Sequence, residues 1–201
     1  NPENPAPIVD EQVPDNAEPI IIVDKDKEEQ MNSVELMFKY DSTPEDQKGY
    51  LPYLIEDFVT DMASAMLNAR LQEEAQKADA PFVSAYGYAG NYIFAKTKDA
   101  FTFIATPKDG KTEAALAALT REAMRAAKFG FTATEYERAK ANYMSALEKQ
   151  YTNRDKINND VFGRACASNY LEKEPLLSIE QTYQIMQQLT PMLPVDVVNE
   201  A

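Results

Sequence analysis

The chain has no histidine and one cysteine, Cys166, among 201 residues. Without imidazole it cannot assemble a Ser-His-Asp or Cys-His catalytic site. With no histidine and a single thiol it cannot build the usual His or Cys zinc sites either. One thiol forms no internal disulfide, so cysteine usage leaves the redox compartment unread. The chemistry that remains open needs paired carboxylates, a Ser-Lys pair or an oxygen-ligated magnesium-type site, and no acid pair here has a spacing diagnostic of carboxylate hydrolysis. Positive charge is scarce too: 20 Lys and Arg stand against 33 Asp and Glu, a net charge of -13. Such a chain repels phosphate backbones and anionic lipid, which predicts no nucleic-acid partner. No apolar run approaches the ~18 residues of a membrane span, which predicts no membrane insertion. With Asn1 first and no signal-like apolar run near it, the sequence reads as an excised or trimmed segment.

What is present suits a globular protein, with 44% hydrophobic and 26% charged residues. Residues 1–19 hold five prolines and five acids without a base, which predicts an extended linker ahead of one domain over 20–201. Ile20–Val23 reads as a short buried strand. Val34, Leu36, Phe38 and Tyr40 alternate with Glu35, Met37 and Lys39, the period of a half-buried strand. Thr43-Pro44 reads as a helix start, with Leu51 to Leu71 at helical spacing and an end near Gln76. Phe82–Ala95 and Phe101–Thr106 read as strands joined by a turn at Thr97-Lys98-Asp99. Gly87 and Gly90 inside the first of these suggest a bulge or a close backbone approach. A helix over Thr112–Phe129 stops at Gly130, and Thr132 with Glu135 forms a capping box for the next, to about Tyr151. Further helices are predicted over about Lys156–Glu172, from Ser178 to Leu189, and after Pro194. The order β-β-α-β-β followed by helices predicts an α+β fold, an antiparallel sheet packed on one face by several helices.

Candidate binding features are few. Tyr86, Tyr88 and Tyr92 share one strand register, so they either line a peptide path or simply cover the sheet. Glu56, Asp57 and Asp61 are a conceivable magnesium cluster, though acids beside an apolar helix stripe are usually solvated. Cys166, between Ala165 and Ala167 in a helical stretch, reads as a buried small hydrophobe. Residues 121–164 carry nine bases and six acids, either helix-surface pairing or a docking face for an acidic partner.

Two stretches taken together carry a resemblance. One is Met66-Leu67-Asn68-Ala69-Arg70-Leu71-Gln72-Glu73-Glu74-Ala75-Gln76-Lys77, followed by Ala80-Pro81-Phe82. The other is Gly130-Phe131-Thr132-Ala133-Thr134-Glu135-Tyr136-Glu137-Arg138-Ala139-Lys140. In order and spacing, over about residues 15–201, the sequence resembles the second, non-catalytic domain of the pitrilysin/insulinase family of zinc metallopeptidases, the inverzincins. The resemblance implies one repeat unit of the pitrilysin/mitochondrial-processing-peptidase-like fold within a larger polypeptide whose halves clamp a peptide in a chamber. It implies zinc in a separate His-x-x-Glu-His domain and no cofactor in this segment. The implied partners are other domains of the same polypeptide and a peptide substrate. Family habit leans towards the periplasm or cell envelope.

The same resemblance locates a degenerate metal motif. The helix after the second strand reads Tyr53-Leu54-Ile55-Glu56-Asp57, with the glutamate kept and Tyr53 and Asp57 where histidines would stand. The family's substrate-holding Arg/Tyr pair falls on Ala75-Gln76-Lys77 and Phe82, so its donors are replaced. Phe82, Tyr86, Tyr88 and Tyr92 are the residues left to touch substrate. The alternative is a stand-alone acidic module that binds a peptide or protein through the aromatic strand face.

Overall fold

The computed structural model describes residues 4, 6 and 9–201; residues 1–3, 5, 7 and 8 of the expected linker lie outside them. Among the described residues there are three strands, β1 (Val34–Asp41), β2 (Phe82–Asn91) and β3 (Lys98–Pro107), and six α-helices. These are α1 (Leu51–Ala75), α2 (Thr112–Phe129), α3 (Ala133–Thr152), α4 (Asn159–Glu172), α5 (Ile179–Leu189) and α6 (Val195–Glu200). The class is α+β, as the element order predicts. Two compact units form: residues up to Ser42 with Leu71–Thr120, and Thr43–Arg70 with Arg121–Ala201.

The first unit holds the sheet, in the order β1-β3-β2, all antiparallel. Period-two alternation sorts its side chains. Val34, Leu36 and Phe38 lie on the same side as Ala105, Phe103 and Phe101 of β3 and Ala85, Gly87 and Ala89 of β2. Phe103 is buried, with Phe101 5.0 Å and Phe38 6.2 Å away between ring centroids. The small β2 row makes room for these rings. A Cβ at Gly87 would lie 2.8 Å from Phe101 Cε1, which is the close approach that a strand glycine signals. Leu71, Ala115, Ala118 and Leu119 are also buried in this unit.

In the second unit Phe58, Val59, Met62, Met66 and Leu67 form the buried stripe of α1. Tyr136, Ala139 and Leu147 of α3, Met186 of α5, Leu193 and Val198 are buried as well. The Tyr136 hydroxyl donates to the Leu193 carbonyl, which satisfies a polar group inside the core. Gly130 ends α2 at φ +65°, and a Cβ there would lie 2.5 Å from Asn199 Oδ1. Two demands therefore fix glycine at this position, a left-handed backbone and a close neighbour. The capping box follows as read: Thr132 accepts from the Glu135 N–H, and the Glu135 carboxylate accepts from the Thr132 N–H. Ser178 caps α5 in the same way.

Several sequence expectations are corrected. Ile20–Val23 is not a buried strand; it is exposed and lies in no sheet. The helix does not start at Thr43: residues 45–50 form turns, and α1 begins at Leu51. The Thr43 hydroxyl donates to Glu56 instead of capping. The hairpin tip lies at Tyr92–Thr97, ahead of the expected turn, because β3 already begins at Lys98. Cys166 is exposed, since α4 buries none of its residues. The described part of the arm is tied down: Thr97 donates to the Glu11 carbonyl, Lys39 to that of Pro14, and Lys98 pairs with Asp15 and Asp41.

Candidate functional site

The side of the sheet opposite the phenylalanines carries the tyrosines. Tyr86 pairs with Ile104 and Tyr88 with Thr102, while Glu35 and Met37 pair with the same two residues from β1. Thr102 is buried beneath its neighbours, but Tyr86 and Tyr88 remain 50% and 45% exposed. Their rings stack at 6.2 Å with 24° between planes. Tyr92 lies one residue beyond β2, where its N–H donates to the Lys98 carbonyl. The Lys39 ammonium sits 5.4 Å from the Tyr92 ring centroid, a cation–π distance. Phe82 is fully buried at the start of β2, so its ring offers no surface. The exposed face thus includes two stacked phenols, a half-buried third and Met37. It has π-faces and hydroxyls suited to peptide groups and apolar side chains, with Glu35 and Lys39 of β1 beside them on the same face.

In the second unit α1 carries Tyr53, Glu56 and Asp57, the residues the resemblance singles out. Tyr53, Asp57 and Asp61 recur every four residues, hence on one helical stripe. The Tyr53 hydroxyl donates to Glu174 Oε2 at 2.7 Å, and Lys48 Nζ lies 2.6 Å from Glu174 Oε1. Glu56 accepts from the Thr43 hydroxyl at 3.1 and 3.2 Å. Asp57 and Asp61 reach solvent, yet protein crowds around them. That desolvation raises the Asp57 carboxyl, with help from the charges of Glu174 and Glu56. Desolvation and then the charge of Asp57 push Asp61 up to about 6. Burial, followed by the two aspartates, pushes Tyr143 up to about 12.

This stripe does not fit zinc. At the positions of an i, i+4 ligand pair stand a phenol already donating to a carboxylate and a carboxylate that resists charge, whereas zinc there needs neutral nitrogens. Among the described residues no group of three or more His, Cys, Asp or Glu could hold a metal ion. The conceivable Glu56-Asp57-Asp61 magnesium cluster is therefore not assembled.

A third constellation ties the two diagnostic stretches together. Arg70 Nε donates to Glu135 Oε1 at 2.6 Å, and Nη2 donates to Glu135 Oε2 and to the Gly130 carbonyl, both at 3.0 Å. The guanidinium also lies 4.7 Å from the Phe131 ring centroid. Arg70 hydrogen bonding, ahead of the opposing desolvation and the bonds from Thr132, holds the Glu135 carboxyl down at about 2. Sequence reasoning quoted both residues without pairing them. It missed Glu174 and Lys48 entirely, since neither belongs to a local motif.

Comparison with known proteins identifies the family. The sequence profile of the Peptidase M16 inactive domain matches residues 1–143. The chain is 26% identical over 175 residues to "Probable zinc protease PqqL" of Escherichia coli (strain K12), covering 87% of this chain and 18% of that protein. It therefore spans less than a fifth of this curated relative. The solved structure of the periplasmic protease PqqL from Escherichia coli superposes with TM-score 0.72 at 23% identity, over 87% of this chain and 19% of the other. A solved structure described as "Predicted insulinase family protease from Yersinia pestis" superposes with TM-score 0.71 at 12% identity, over 86% of this chain and 36% of the other, a likeness of fold. Since the profile covers well over half of its residues, the chain belongs to the Peptidase M16 inactive-domain family.

Proposed function

We propose that the chain is a non-catalytic domain of a multidomain zinc metalloendopeptidase, with residues 1–19 as connector and 20–201 as the domain. In this reading it helps enclose and bind peptide in a chamber that faces a separate His-x-x-Glu-His zinc domain. The observation that carries the reading is the half-exposed, stacked Tyr86–Tyr88 pair in a chain of an inactive-peptidase family. Aromatic rings on a strand offer a contact surface that costs little side-chain entropy, which suits varied peptide sequences. Tyr53, Glu56 and Asp57 mark where the metal motif would stand, and they now serve local hydrogen bonding and charge.

The test uses the parent enzyme with Tyr86, Tyr88 and Tyr92 all replaced by serine. Loss of uniform substrate binding raises KM several-fold with kcat and zinc content little changed. An unchanged KM in a folded variant refutes the role of the tyrosine face.

A further inference from the structure

Ile20, Ile21, Ile22 and Val23 are four consecutive β-branched residues, and they are 63–90% exposed. They lie in no strand, and their backbone groups make no hydrogen bond among the described residues. In extended backbone Ile20 and Ile22 point to one side and Ile21 and Val23 to the other. A half-buried edge strand needs only one apolar face. A strand apolar on both faces suits a position covered on both. The residues that follow, Asp24-Lys25-Asp26-Lys27-Glu28-Glu29, are charged throughout, so strand character stops at Val23.

The chain's own sheet leaves β1 and β2 as open edges, and the run pairs with neither. Beside β1 it would set apolar side chains next to Glu35, Lys39 and Asp41, which share one face of that strand. Among the described residues neither edge receives the run. The chain spans 18% of its curated relative, which leaves most of such a polypeptide to other domains. We propose that Ile20–Val23 is a docking strand that adds to the open sheet edge of a neighbouring domain in the same polypeptide. Main-chain hydrogen bonds would supply the pairing and the four side chains the apolar cover. This rests on the reading of the chain as one domain of a larger peptidase.

The experiment is hydrogen exchange on the intact parent, with site-specific photo-crosslinking. Amides of Ile21–Val23 are expected to exchange at least ~100-fold slower than an unstructured chain. Ile22→Pro removes a donor and should release that protection while β3 amides stay protected. The photo-crosslinker variant Ile21→p-benzoyl-phenylalanine should label a residue of the parent outside residues 1–201. Fast exchange in the intact wild-type parent overturns the proposal. So does a crosslink within residues 1–201, or one joining two parent molecules. Zinc content and peptide cleavage of the same sample read the peptidase assignment separately. An active enzyme with an unprotected run sinks only the docking strand, and a protected run in a protein that cleaves no peptide sinks only the peptidase reading.

Discussion

Replacing Glu135 with glutamine removes one charge at a position where two structural devices meet. The carboxylate receives two bonds from Arg70 and two from Thr132. Arg70 is only 7% exposed and Glu135 19%, so solvent does little to screen the pair. In the folded chain the Glu135 carboxyl is held at about 2, against 4.5 for an ordinary glutamate. At ~1.4 kcal/mol per pKa unit, that difference stabilises the folded state by about 3 kcal/mol at pH 7. Glu135→Gln keeps the side-chain shape and one acceptor but strands the buried guanidinium. Its Nη1 already lacks a hydrogen-bond partner among the described residues, so the loss should reach the full amount. A depressed carboxyl contributes stability that is complete above the unfolded pKa and is lost as pH falls through the folded one. The gap between wild type and variant should therefore shrink from about 3 kcal/mol at pH 7 to about 1.4 kcal/mol at pH 3. Urea unfolding at both pH values measures it, and Arg70→Met alone and combined with Glu135→Gln completes a double-mutant cycle. A loss below about 1 kcal/mol at pH 7, or one independent of pH, would show that the pair is not the fastener described.

Thr132→Ala should cost about 1 kcal/mol, because the Glu135 N–H loses its acceptor while the Arg70 bonds persist; an unchanged urea midpoint contradicts the cap. Asp61→Asn should stabilise the chain by up to about 1 kcal/mol at pH 7, after allowance for its solvent exposure, and by nothing near pH 3. The sign follows because burial raises Asp61 to about 6, so ionising it costs folded stability as pH rises from about 4 to 6; a benefit that persists at pH 3 refutes this cause. Ile93 sits at φ +56° in the hairpin tip, a strained backbone for a β-branched residue. Ile93→Gly should raise stability by about 1 kcal/mol, and a lower thermal midpoint would show that the exposed side chain matters more than the strain.

The parts of the fold that were legible in the sequence are those decided within a few residues. Gly130 and the Thr132/Glu135 box are local geometry, and α2, α3 and the turn between them fall where those residues place them. The parity of Tyr86 and Tyr88 is equally local, since strand period alone puts them on one face. Legibility failed where a distant or missing partner decides. Ile20–Val23 has a strand's composition, but a strand exists only when an edge receives it. The Thr43 hydroxyl is a competent cap until Glu56, thirteen residues on, takes it. Nothing in Tyr92-Ile93-Phe94 announces a tight turn, because isoleucine is ill suited to the backbone it adopts there. The Tyr53–Glu174 bond spans 121 residues and Arg70–Glu135 spans 65, beyond any local pattern.

The same division explains why family membership is readable in a chain without the family's chemistry. Arg70 and Glu135 sit inside the two stretches that carry the resemblance, and in the fold they grip each other, the Gly130 carbonyl and the Phe131 ring. These residues hold α1 to the start of α3, and neither need touch substrate or metal. Removing one leaves a buried charge unpaired, so the pair carries a stability cost that a motif of exposed ligands does not. Tyr53, Glu56 and Asp57 show the opposite case. Tyr53 donates to Glu174 and Glu56 accepts from Thr43, bonds of part-buried and exposed groups that leave no buried charge to pair. The sequence signal carried by the two stretches thus reports scaffold, because Arg70 and Glu135 fasten the fold with no chemistry required of them.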